Sequence, residues 1–143
     1  MPKMIKKTLF KAVILFFLIN EYAFSSEFVF SCKTNSGKEV KVEKSGDVAI
    51  YSFGKNINNP EMKIKNKIKD LDIMLSEPMG SEIVTNIPFK NGDYTYSVFT
   101  NTDRLNDEHK STSGVSIFKN EKYITIIKCL TQKGNLLDID SAE

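Results

Sequence analysis

Cys32 and Cys129 are the only two cysteines in the sequence, and they stand near opposite ends of the part that can fold. If they bond, the first and last segments must lie side by side, which excludes every architecture that holds those ends apart. A bridge closing so long a loop removes unfolded-state entropy worth about 4–5 kcal/mol in the chain-entropy model. The pair has no third cysteine or histidine at metal-ligand spacing. A structural disulfide is therefore expected, with no metal and no cofactor.

A disulfide needs an oxidising compartment, and the first residues read as a route to one. Lys3, Lys6, Lys7 and Lys11 form a basic start, residues 12–19 are an unbroken apolar run, and Ala23 and Ser25 place small residues at −3 and −1 of a cleavage site. That order is the signature of a secretory signal peptide. The apolar run is shorter than the about 20 residues that span a bilayer, so no stable membrane anchor is expected after cleavage. Acylation at Cys32, which follows Ser31, would leave Cys129 unpaired. The expectation is a signal peptide over residues 1–25, one domain over 26–143, and a periplasmic location.

Residues 1–25 carry four lysines and Glu21, so the formal charge moves from +2 to −1 when they are removed. The basic character belongs to the leader. A nucleic-acid partner loses its electrostatic basis.

Past the leader, apolar and polar residues alternate with the period of strands. Phe28, Phe30 and Cys32 share one face. Val40 and Val42 alternate with Lys41 and Glu43, and residues 48–53 form a third strand, with turns at Asn35-Ser36-Gly37 and Ser45-Gly46-Asp47. Residues 56–80 show no clear period, although residues 62–65 alternate. Asn91-Gly92 between alternating runs predicts a type I′ hairpin with both residues at positive φ. Pro88 predicts an open edge or a bulge. A further hairpin is expected around Asn120-Glu121. Its second strand is apolar on both sides, with Tyr123, Ile127 and Cys129 on one and Ile124, Ile126 and Leu130 on the other, which predicts a central strand covered on both faces. Residues after Gly134 read as an edge strand or a frayed end. The fold class expected is all-β: a small antiparallel barrel or sandwich of about eight strands, closed at its seam by a disulfide between the first and last strands.

Recognised catalytic patterns are missing: no Gly-x-Ser-x-Gly elbow, phosphate loop or His-Glu-x-x-His occurs. The one histidine, His109, would need a nucleophile within reach to act as a base, and a solvated loop explains it equally. Asp70/Asp72 and Asp138/Asp140 lack the further oxygen ligands of a calcium loop. Catalytic residues are not expected, and binding remains. The stretch over residues 101–113 exceeds an ordinary hairpin connection, as functional loops do. It holds the sole arginine and histidine, and Asp103, Arg104, Asp107, Glu108 and His109 are the candidate partner-binding residues, suited to a basic partner. Tyr94 and Tyr96, on one face, read as barrel wall.

An exported domain of this size built from hairpins, with a cysteine in each terminal strand, resembles the small periplasmic proteins that neutralise cell-wall-attacking enzymes. These are the C-type lysozyme inhibitors and the immunity proteins against pesticin or colicin M. The inhibitors carry Ser-Gly-x-x-Tyr followed by an aromatic-Trp segment. Here Ser113-Gly114-Val115-Ser116 leads to Ile117, and tryptophan is absent, which favours the bacteriocin-immunity class. The resemblance implies a monomer or weak dimer that binds a protein toxin or wall hydrolase stoichiometrically. A surface or pilus-type subunit that accepts a neighbour's strand is the alternative.

Overall fold

The computed structural model describes residues 25–75 and 80–140. The signal-peptide reading falls, except for Ser25, outside the described residues. Nine antiparallel strands form one sheet: β1 (Glu27–Thr34), β2 (Glu39–Ser45), β3 (Val48–Gly54), β4 (Met62–Lys67), β5 (Met74–Leu75), β6 (Glu82–Asn91), β7 (Tyr94–Asp103), β8 (Ser111–Lys119) and β9 (Lys122–Gly134). The sheet is curled into a half-barrel with strand order β4-β3-β2-β1-β9-β8-β7-β6-β5. No α-helix occurs among the described residues. The count exceeds the expected eight. The two-residue β5 lies in the stretch without a period and is too short to show one.

Alternation sorts the residues as expected. Phe30, Val40, Val42, Ala49, Tyr51 and Ile64 are buried on the concave side, while Lys41 and Glu43 lie on the other face as an ion pair at 3.0 Å. On the far half, Ile87, Val98 and Val115 stand opposite one another across β6, β7 and β8 and are fully buried.

The disulfide joins Cys32 to Cys129 with Cα atoms 5.6 Å apart, but it does not close a seam. β1 and β9 are direct neighbours in the middle of the sheet, and the outer strands are β4 and β5. Contact across the gap is made by a side chain. Asn66 of β4 donates from Nδ2 to the Lys90 carbonyl at 3.1 Å and accepts the Lys90 N–H at Oδ1 at 2.9 Å. The amide thus satisfies both backbone groups of one β6 residue, as a strand neighbour would. Pro88 lies on this partly covered edge, where β5 pairs only with Thr85 and Asn86, as its missing N–H predicts.

The turn chemistry is shifted from expectation. Asn91 pairs with Tyr94, so the β6–β7 turn is Gly92-Asp93 and only Gly92 (φ 60°) is left-handed. A single positive φ at the first central position is the II′ arrangement. The I′ arrangement occurs instead between β8 and β9, where Asn120 (φ 48°) and Glu121 (φ 66°) are both left-handed.

The chain's last described segment is neither an edge strand nor frayed. Leu136–Asp140 forms a 3-10 helix that buries Leu136 and Ile139 in the core. Residues three apart eclipse in this helix, so both point inward while Leu137 faces out. The turn into it is held by the Asn135 N–H donating to the Val29 carbonyl at 3.0 Å.

Candidate functional site

The expected partner loop is shorter than its composition implied. Asn101 pairs with Thr112 and Thr102 with Ser111, which leaves residues 104–110 as the connection between β7 and β8. Threonine's branched Cβ suits a strand, but a polar strand shows no hydropathy contrast. Several of the polar groups in this connection fold the loop itself. The Leu105 N–H donates to Asp103 Oδ1 at 3.0 Å, and the Glu108 N–H donates to Asn106 Oδ1 at 3.4 Å. Lys110 pairs with Glu108 at 2.8 Å, and His109 takes φ 43°. Arg104, Asp107, Glu108 and His109 are exposed, so the loop gathers four of the five candidates on the surface, with Asp103 partly buried at its base. It also displays Leu105, which the sequence reading passed over although it is 81% exposed.

A second surface departs from expectation. β9 is central in strand order but uncovered on its outer face. Ile124 is 48%, Ile126 36% and Leu130 67% exposed. Tyr123, 61% exposed, joins them because the ladder shifts register between Ile117 and Phe118, so that Tyr123 pairs with Phe118 on the face of Ser116 and Ile126. The sequence carries the signal, since both faces of the strand are apolar, but periodicity alone predicts a covered position. β9 carries Lys122, Lys128 and Lys133 and no acidic residue. The result is an apolar row rimmed by ammonium groups in a domain whose expected net charge is −1 once the leader is gone.

The row ends at a pit. Phe99 lies against Gly114, with ring atoms 3.0 Å from where a Cβ would stand, so the missing side chain lets the ring settle on the sheet. Phe99, Ile126, Lys128 and Thr112 line a cavity of ≈310 Å³. Asn101, opposite Thr112 in the ladder, has a buried Oδ1 with no hydrogen-bond partner, while its Nδ2 donates to Glu82 at 3.1 Å. A buried acceptor without a donor is costly, by about 1–3 kcal/mol.

Tyr94 and Tyr96 are wall residues with graded burial. Tyr96 stacks on buried Tyr51 at 5.8 Å and on Tyr94 at 6.3 Å. Lys119 covers Tyr94 at 5.5 Å. Among the described residues, no group of three His, Cys, Asp or Glu side chains stands close enough to hold a metal ion. No protein-family model, curated protein or solved structure matches this chain.

Proposed function

We propose that this chain is a periplasmic immunity or inhibitor protein that neutralises a bacteriocin or cell-wall hydrolase by stoichiometric binding. The observation that carries the reading is the uncovered outer face of β9, with Tyr123, Ile124, Ile126 and Leu130 exposed in one row. An apolar row of this kind on a folded domain marks an interaction surface. It lies on a strand that pairs with β8 up to Lys128 and with β1 from Cys129 onward, stapled by a disulfide at the changeover. Such a rigid platform loses little freedom on binding. Tyr123 and Leu130 are the anchors, and Lys128 and Lys133 supply positive charge that draws an acidic partner. The loop over residues 104–110 supplies a second contact through Leu105 and Asp107.

The surface-subunit alternative needs an edge that receives a strand. Pro88 deprives the β6 edge of a donor, and Asn66 already occupies the backbone of Lys90. A blunted edge of this kind is a poor template for pairing.

The test is titration of purified residues 26–143 into muramidases, other wall hydrolases and any toxin encoded beside its gene. Loss of activity near one equivalent, with a complex on gel filtration, is expected. Leu130→Asp and Tyr123→Ala should weaken that complex while leaving the unfolding midpoint unchanged. Absence of both inhibition and complex with every enzyme would sink the reading.

A further inference from the structure

The inner wall of the sheet changes character within one pleat. One row across β6, β7 and β8 is Ile87, Val98 and Val115. The next row on the same face is Thr85, Thr100 and Ser113, and the one after is Ile83, Thr102 and Ser111. Threonine and valine have nearly the same shape, so packing does not explain the exchange. Only the hydroxyls differ, and hydroxyls facing inward are costly unless something hydrogen-bonds them.

These hydroxyls face a cleft. β8 and β9 part company after the pair Gly114 and Lys128, and from Cys129 onward β9 pairs with β1. The divergence leaves a cavity of ≈290 Å³ between the hydroxyl rows and the end of β9. Thr85, only 2% exposed, forms its floor. Thr100, Thr102, Ser111, Gln132 and Asn135 supply its polar walls, and the Thr102 and Ser111 hydroxyls lie 2.8 Å apart. Ile83 and Leu137 add apolar surface. Among the described residues, no ionisable side chain lines it.

We propose that this cleft binds a single uncharged sugar ring. Hydroxyls and carboxamides both donate and accept, which matches a ring bearing alternating hydroxyls. Ile83 and Leu137 suit its C–H faces. A phosphate or carboxylate ligand would find no cation here, and a lipid chain would strand the hydroxyls. The volume lies just below the ~300–1,000 Å³ of small-molecule sites, which favours one ring over an oligosaccharide. The cleft is on the concave side of the sheet, apart from the outer face of β9, and does not depend on the toxin-binding reading.

The test is a chemical-shift titration of ¹⁵N-labelled residues 26–143 with glucose, galactose and N-acetylglucosamine, beside triglycine and inorganic phosphate. Saturable shifts at Thr85, Thr100, Thr102 and Ser111 with at least one sugar are expected, and none there with triglycine or phosphate. Thr100→Val and Thr102→Val keep shape and strand preference, and each should weaken binding by about tenfold or more. Thr102→Ser keeps the hydroxyl and should retain binding. If a valine variant does not fold, the unsubstituted chain and Thr102→Ser still decide through the location of the shifts. Absence of saturable shifts with all three sugars overturns the proposal. So does binding of triglycine or phosphate in place of sugar, or sugar binding unaffected by both valine substitutions.

Discussion

Cys129 is bonded to Cys32 at the residue where β9 changes partners. Lys128 still belongs to the ladder with β8, opposite Gly114, whereas Cys129 is already opposite Thr34 of β1. One strand thus serves two halves of the sheet, and the covalent link falls at the handover. Its position explains why the bridge sits mid-sheet. Across the gap β4 hydrogen-bonds β6 through the Asn66 amide, and the crossing point is where the halves would otherwise be free to slide.

Breaking the bridge should therefore have a global and a local effect. The cysteines are 97 residues apart, and a loop of that size contributes about 4–5 kcal/mol at most, with about 2–5 kcal/mol typical. Guanidinium unfolding with and without reductant measures the total. Amide exchange resolves the rest: after reduction, residues 131–133 should lose protection more than β6 and β7. Equal loss everywhere would mean that the bridge does not pin the handover.

The C-terminal 3-10 helix is expected to behave as core. Leu136 and Ile139 are 0% and 1% exposed, and replacing either with alanine should cost about 2–5 kcal/mol. Leu137→Ala, on the outer side of the same turn, should change stability by less than about 0.5 kcal/mol. Chemical denaturation of the three variants separates these outcomes. Similar values for all three would make the segment a loosely docked tail.

Much of this architecture is legible in the residues, and the failures share a cause. Val40, Val42 and Ile64 announce their faces because their neighbours are polar. Where contrast vanishes, so does the signal. Thr102, Ser111 and Ser113 lie in strands but read as loop, because hydroxyls replace apolar groups on the inner wall. Ile124 and Leu130 read as covered, because periodicity reports which residues share a side and not whether anything lies over it. Leu136 and Ile139 are spaced by three, a period too short-lived over five residues to stand out from a frayed end. The disulfide was legible from count and position alone, but its place in the sheet depends on register, which follows only from pairing.

Tyr51 should make stability sensitive to alkali. Burial, with Tyr96 stacked beside it, pushes its phenol well above the usual range. Its contribution is therefore intact below the unfolded-state value of about 10. As pH rises beyond that value, the unfolded chain releases the proton while the folded chain retains it. Stability then falls by about 1.4 kcal/mol per pH unit from this group. Unfolding midpoints compared between about pH 9 and pH 11 should decline more steeply for the unsubstituted chain than for Tyr51→Phe. Parallel curves would remove Tyr51 from the account.

Gly114 sits opposite Lys128 at the last pair before β8 and β9 separate. A Cβ there would press into the Ile127 carbonyl of the neighbouring strand and stand 3.0 Å from the Phe99 ring. The ring can rotate away, but the carbonyl belongs to the ladder and can yield only if the strands move apart. Gly114→Ala should therefore cost about 1–3 kcal/mol, the usual range for overpacking. Adding Phe99→Ala separates the two contacts. If the ring were the obstacle, the double variant would recover stability relative to Phe99→Ala alone. The expectation is that it does not, because the backbone contact remains. A double-mutant cycle by chemical denaturation reads the difference, and recovery by more than about 0.5 kcal/mol would shift the constraint from the strand to the ring.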